Sequence, residues 1–230
     1  MAELLSIFTA EFWSEYGQLL LVGTRDTLVM TLVATVFAYL LGLPLGVLLV
    51  LTGDHGICPS RSLNRVLGWV INVGRSLPFI ILMVCVMPLT KILVGTKIGV
   101  LGAIPPLVIS AAPFIARMVE TSLAEVDAGV VEAAQSMGAS TLQIVWKVYL
   151  PEAKPSLILG GSISIITILA YTAIAGAIGA GGLGDIAVRY GYQRGEDNMM
   201  WVTVVFLIVL VQIIQSGFSW VSNRIDKRLK

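Results

Sequence analysis

The chain reads as an all-α membrane protein of five transmembrane helices with one helical elbow outside the bilayer, and three observations predict it. Hydrophobic residues make up 57% of its 230 residues and charged residues 13%, where soluble domains run to about 45–50% and ~25%. Charges vanish from four long stretches, residues 27–53, 98–116, 155–184 and 198–223. Each holds a helix of about 20 residues, the length that crosses ~30 Å of hydrocarbon. Between residues 116 and 155 charged and apolar residues alternate densely again, so this segment leaves the membrane.

The elements follow in order. Residues 1–22 lack a basic n-region and a small-residue cleavage site, which predicts an amphipathic leader on the membrane surface, not a cleaved signal. A fifth apolar stretch, 63–90, is interrupted by Arg75 and Pro78. Its first half is predicted to be amphipathic and residues 79–87 to be the deeper part. Domain boundaries are a leader at 1–22, a membrane domain at 23–222 containing the elbow at about 118–154, and a basic tail at 223–230.

Five spans place the termini on opposite sides, and the charge bias orients them. With the N-terminus outside, nine basic residues face the cytoplasm: Arg61, Arg65, Arg117, Lys147, Lys154, Arg224, Lys227, Arg228 and Lys230. Five lie outside: Arg25, Lys91, Lys97, Arg189 and Arg194. This favours N-out and C-in, as does the acidic leader with Glu3, Glu11 and Glu15. Cys58 in the first loop and Cys85 in a span are too separated to suggest a disulfide and read as structural thiols.

Within the elbow, Leu123, Val126, Val130, Ala134, Met137, Thr141, Val145 and Val148 recur at intervals of three and four, the period of short helices with one buried face. Asp127 is placed to cap the first helix, Gly138 to end it in a left-handed conformation, and Ser140 to Gln143 form a capping box for the next. Pro151 is expected to end that second helix, because its ring removes a hydrogen bond. A rigid helix, corner and helix suit the transmission of position to a soluble partner. On periodicity alone, an amphipathic connector lying on lipid headgroups is the simpler reading.

Glu132-Ala133-Ala134, Gly138 and then Val148, Leu150 and Pro151 resemble the EAA signature of importer permeases of the ATP-binding cassette superfamily, with Val148 where the family usually has isoleucine. The likeness extends through Gly74-Arg75-Ser-Leu-Pro-Phe79, Ala112 to Glu120 and Gly179 to Gly184, and covers roughly residues 20–222. Together these stretches resemble methionine-importer permeases. The resemblance implies the type I importer permease fold, with residues 132–138 as a coupling helix seated in a groove of an ATPase subunit. It also implies a homodimer in the bacterial inner membrane, two copies of a cytoplasmic ATPase that uses ATP and magnesium, and an external methionine-binding protein. The chain itself is expected to bind no cofactor and to have no nucleic-acid partner. It lacks the phosphate-loop pattern G-x-x-x-x-G-K-[ST].

Gly179-Ala-Gly181-Gly182-Leu-Gly184 also fits G-x-G-x-x-G, but that fingerprint needs a strand before it and a βαβ unit around it. Here the glycines, with Gly176, are expected to allow close helix approach and to unwind the end of the span; tight packing and a substrate-contacting role both remain open. Arg75 counts about 12 residues, or ~18 Å, into a helix starting near Leu63, which points to an interior hydrogen-bonding role unless the span starts later. His55 beside Asp54 reads as solvated. One histidine and two separated cysteines make no metal set, and no nucleophile, base and orienting acid come together, which disfavours an intramembrane hydrolase. A passive scaffold would not explain the elbow. For the translocation pathway the first candidates are Ser162, Ser164, Thr167, Tyr171 and Thr172, although such hydroxyls commonly bond their own backbone.

Overall fold

The computed structural model describes residue 7 and residues 9–225, and among these there are helices and turns and no strands. Helix α1 runs from Ala10 to Thr52, 43 residues, or about 64 Å at 1.5 Å per residue. That is about twice the thickness of the hydrocarbon, so part of α1 lies beyond it. The helix is unbroken at residue 22, where the sequence reading separated leader from span. Leader residues 1–6 and 8 and tail residues 226–230 lie outside the described residues. Thr24, Thr31, Thr35 and Thr52 each donate to the carbonyl four residues earlier, so α1 carries its hydroxyls through an apolar setting without leaving them unpaired.

Helix α2 (Arg61–Ser76) and helix α3 (Phe79–Val94) follow. Leu77 and Pro78 between them are extended, with ψ of 126° and 133°, because a residue before proline is pushed out of the α region. Helix α4 is Gly99–Ala124, α5 is Ala128–Ser136 and α6 is Thr141–Ile144. A π turn at Val145–Tyr149 leads to α7 (Leu150–Glu152) and α8 (Lys154–Ala175). A second π turn, Gly176–Ala180, precedes α9 (Gly182–Ile186), and a third, Ala187–Tyr192, precedes α10 (Asp197–Ile225). Among the described residues four helices are long and apolar enough to span a membrane, and the broken pair α2 and α3 supplies a fifth span when taken as one.

Arg75 does not show the interior setting expected of it. It is exposed in the last turn of α2 and makes no hydrogen bond or ion pair among the described residues. The expectation treated residues 63–90 as one span, whereas α2 ends one residue after Arg75.

The chain divides into two compact units. The first comprises residues 1–36, 78–109 and 165–215. Its core gathers Phe12, Leu20, Leu183, Ile186, Met199 and Val202. Here the backbone N–H of Leu183 donates to Thr27 Oγ1 at 2.9 Å. The helix breaks at Ile178 and Gly179, and Gly179, Gly181 and Gly182 take φ of 90°, 82° and 79°, a region where only glycine rests without strain. Gly184 lies directly on the backbone of Ala173, and Gly176 on the backbone of Gly184 and Asp185. Gly176 and Gly184 are thus close-packed, whereas a Cβ at Gly179 would meet nothing within 4 Å.

The second unit comprises residues 37–77, 110–164 and 216–230. Leu49, Ile71 and Ala116 form a core cluster, with Leu45 and Leu67 against it. Gly42 and Gly46 of α1 let α4 approach: a Cβ at either would stand 2.8 or 2.6 Å from the carbonyl oxygen of Ala112 or Ala116. The loop after α1 folds back on the end of that helix. Gly56 N–H donates to Gly53, Cys58 N–H to Leu51 and Ser60 N–H to Thr52, while the Asn64 amide reaches Leu49 O at 2.8 Å. Cys58 is an exposed free thiol 3.6 Å from Thr141 Oγ1, and Cys85 is also free.

The glycine contact gives a test of packing. Gly184→Val would force the Ala173 backbone aside, at a cost of about 2 kcal/mol or more. Thermal unfolding of the purified protein in detergent should show its midpoint lowered by roughly 4–8 °C. Gly217→Ala, where nothing lies within 4 Å, should leave the midpoint nearly unchanged.

Candidate functional site

The elbow is built from local hydrogen bonds that the sequence dictates. Asp127 accepts from the N–H groups of Gly129 at 2.8 Å and Val130 at 3.3 Å, capping the free amides of α5. At the other end the N–H of Gly138 donates to Gln135 O and that of Ala139 to Ala134 O, at 2.9 and 3.1 Å. This paired closure needs a left-handed residue, and Gly138 supplies it with φ of 79°. Ser140 and Gln143 form the reciprocal capping box, with Ser140 N–H to Gln143 Oε1 at 2.9 Å and Gln143 N–H to Ser140 Oγ at 3.4 Å. Two short helices are thus locked at a corner.

Pro151 does not end the second helix as expected. The N–H of Leu150 donates to Val145 O, five residues back, so the chain takes a π turn immediately before the proline. The wider turn gives the ring room beside carbonyls that a regular α-helix would hold against it. The helical path persists to Glu152 and breaks at Ala153, with ψ near 0°.

The buried face of α5 is Val131 and Ala134. Val130 and Met137, expected to be buried, are 44% and 82% exposed. The corner at Gly138 turns the chain so that α5 packs on the π turn, leaving Met137, just past the last helical residue, outside. Of the signature residues, Glu132 and Ala133 are exposed and Ala134 faces the chain's own core, so only Ala133 of the two alanines is free to meet another surface. Glu132 lies mid-helix and caps nothing. Asp127 has that role, and Glu132 has no partner among the described residues. Val148 and Leu150 are half-buried and Pro151 is exposed. Sequence reasoning missed Leu142 and Trp146, which stand 69% and 64% exposed on α6 and the following turn. Their signal was a four-residue spacing opposite buried Ile144 and Val145.

An open cleft of about 460 Å³ lies beside α5, lined among others by Asp54, His55, Glu120, Glu132, Gln135 and Tyr149. Burial pushes the Tyr149 phenol above its ordinary pKa, keeping it neutral against the helix. Asp54 pairs with Arg61 at 3.1 Å, but both are well exposed, and such pairs contribute little. No group of His, Cys, Asp or Glu among the described residues could hold a metal ion.

The pathway candidates separate by chain unit. In the second, Ser162 is buried and Ser164 donates to Gly160 O at 2.8 Å, with Tyr39 Oη 3.4 Å away. In the first, Thr172 donates to Leu169 O at 2.6 Å and Thr167 is half-buried. Tyr171 stacks on Phe79, ring centroids 4.5 Å apart. Ser164 and Thr172 therefore bond their own helix.

Known proteins share this architecture. The family described as binding-protein-dependent transport system inner membrane component matches residues 42–230. The chain is 50% identical over 219 residues to a probable D-methionine transport system permease protein of Vibrio cholerae, covering 95% of this chain and 97% of that one. It is 47% identical over 181 residues to the methionine import system permease protein of Bacillus subtilis, covering 79% and 82%. A solved structure of the MetNI methionine ABC transporter in an inward-facing conformation superposes with a TM-score of 0.91 at 44% identity, covering 93% and 99%. An amino acid ABC transporter at 21% identity and a TM-score of 0.75 shares the fold. With its matched region taking in both the elbow and the spans that flank it, the chain belongs to the binding-protein-dependent transport system inner membrane component family.

Proposed function

We propose that this chain is the transmembrane permease subunit of an ATP-driven methionine importer, and that two copies form the pathway by alternating access. The observation that carries the reading is the elbow. It is rigid, capped at both helices, and presents exposed apolar Met137, Leu142 and Trp146 near an unpartnered carboxylate at Glu132. Exposed apolar side chains of this size, set along the chain on either side of a fixed corner, suit a protein partner. In this reading the partner is a cytoplasmic ATPase, present in two copies, that uses ATP and magnesium. Its closure moves the spans through the elbows, and ATP binding drives transport only by favouring one arrangement over the other. The N-terminus lies outside and the C-terminus in the cytoplasm, where the elbow also lies. An external binding protein delivers methionine, a substrate supported by the names of the relatives at 50% and 47% identity.

Liposomes containing the chain, its cognate ATPase and the binding protein test this directly. ATP-dependent uptake of labelled methionine, well above glutamine and arginine, is the expected result. Uptake of another solute instead would remove the substrate assignment, and the absence of ATP-dependent uptake by a verified assembly would remove the importer reading.

Two sets of variants probe the elbow. Gly138→Val places a β-branched residue at φ of 79°, a strain of roughly 1–3 kcal/mol, and Glu132→Lys reverses the exposed charge. Each should lower uptake at least tenfold or detach hydrolysis from uptake, and normal coupling in both would count against the elbow as the transmitting part. Trp146→Asp should weaken ATPase association measured in detergent by about tenfold or more, the effect of losing an anchoring aromatic worth over 1 kcal/mol.

A further inference from the structure

Helix α2 presents three different faces over its 16 residues. Ile71 and half-buried Leu67 belong to the core with Leu49 and Ala116. Leu63, Val66, Val70 and Val73 form an exposed apolar face suited to acyl chains. Arg65, Asn72 and Arg75, at helical spacing, form an exposed polar face. Arginine and asparagine are poorly tolerated against lipid and in membrane proteins face cavities or other chains. Arg117 of α4 reaches this same polar face, its Nη2 standing 3.1 Å from Asn72 Oδ1, while its Nη1 pairs with Glu120. Its charge is compensated there.

Arg75 differs from Arg117. No described residue pairs with it, yet its place is fixed. Gly74 beside it lies so close to Pro113 of α4 that a Cβ would stand 2.8 Å from the ring, and the helix ends one residue later. A cation in a last helical turn is favoured by the helix dipole, which explains the charge but leaves the guanidinium's fork of N–H donors unfilled. That fork matches a carboxylate with two parallel hydrogen bonds.

We propose that the polar face of α2 is a wetted wall of the translocation pathway and that Arg75 binds the carboxylate of the transported amino acid as it passes. The inference rests on the importer reading above. A free amino acid always carries this carboxylate; Arg65 on the same face likewise has no ion pair among the described residues but lies near the start of α2, whereas Arg75 is held next to the helix break.

The test uses the complete transporter in proteoliposomes, with cognate ATPase and binding protein, in a Cys58→Ser, Cys85→Ser background. Arg75→Gln should reduce methionine uptake at least tenfold while leaving ATP hydrolysis stimulated by loaded binding protein within about twofold. Arg75→Lys should recover part of the uptake. Ser76→Cys should react with a membrane-impermeant anionic thiol reagent, and Val70→Cys should not. Methionine should slow the reaction at Ser76→Cys; methioninol, which lacks the carboxylate, should not, and adding Arg75→Gln should abolish the protection. Unchanged uptake in Arg75→Gln, equal loss of hydrolysis and uptake, or protection that survives Arg75→Gln would each overturn the assignment. Failure of the parent complex to import methionine would instead strike the importer reading beneath it.

Discussion

Lipid offers no hydrogen bonds, so each place where this chain leaves the helix must find partners for the amides and carbonyls it frees. The loop after α1 returns two backbone N–H groups, those of Cys58 and Ser60, and the Asn64 amide to carbonyls of the helix it has just left. Where the chain unwinds before α9, the buried N–H of Leu183 turns to Thr27 Oγ1. Around Pro151, the π turn redirects the N–H of Leu150 to Val145 O. The elbow lies outside the bilayer, where water could serve these groups, and still closes both short helices on its own residues, with Asp127, Gly138, Ser140 and Gln143 within about twenty residues.

That constraint also gives the elbow its mechanical character. A connector held only by apolar contact would slide, because dispersion and burial have little directional preference. Here the corner angle is set by a left-handed glycine and a reciprocal capping box, both directional. The apolar contacts of Val131, Ala134 and Tyr149 then fix α5 against the rest of its own unit. In the coupling role proposed above, a displacement applied at exposed Met137 or Trp146 would pass to the helices that follow, with little absorbed in the loop.

The sequence made legible what local rules govern. Asp127, Gly138 and the Ser140 to Gln143 box were readable because each satisfies its partner within four residues. The interruption at Arg75 and Pro78 announced the break between α2 and α3 for the same reason. What escaped depended on distant chain. A periodicity of three and four could not say which stripe of α5 turns inward, since that depends on where the π turn lies; Val130 and Met137 were misplaced on that account. The π turn left no local signal, because proline predicts a break and not the wider turn that avoids one. Arg75 was assigned a partner from depth alone, and depth says nothing of which face of a helix is covered.

The same physics divides the work of recognition. A hydroxyl in a span first satisfies its own helix, as Ser164 and Thr172 do with Gly160 and Leu169, and is then a poor contact for a solute that must leave again. In the importer proposed above, a pathway lined by such hydroxyls would hold its cargo weakly, which suits transport, since each tight contact would have to be broken in the next step. On that proposal selectivity falls to the external binding protein. The role proposed for Arg75, a guanidinium beside a helix break reading only the carboxylate that all amino acids share, fits that division of work without making the pathway a trap.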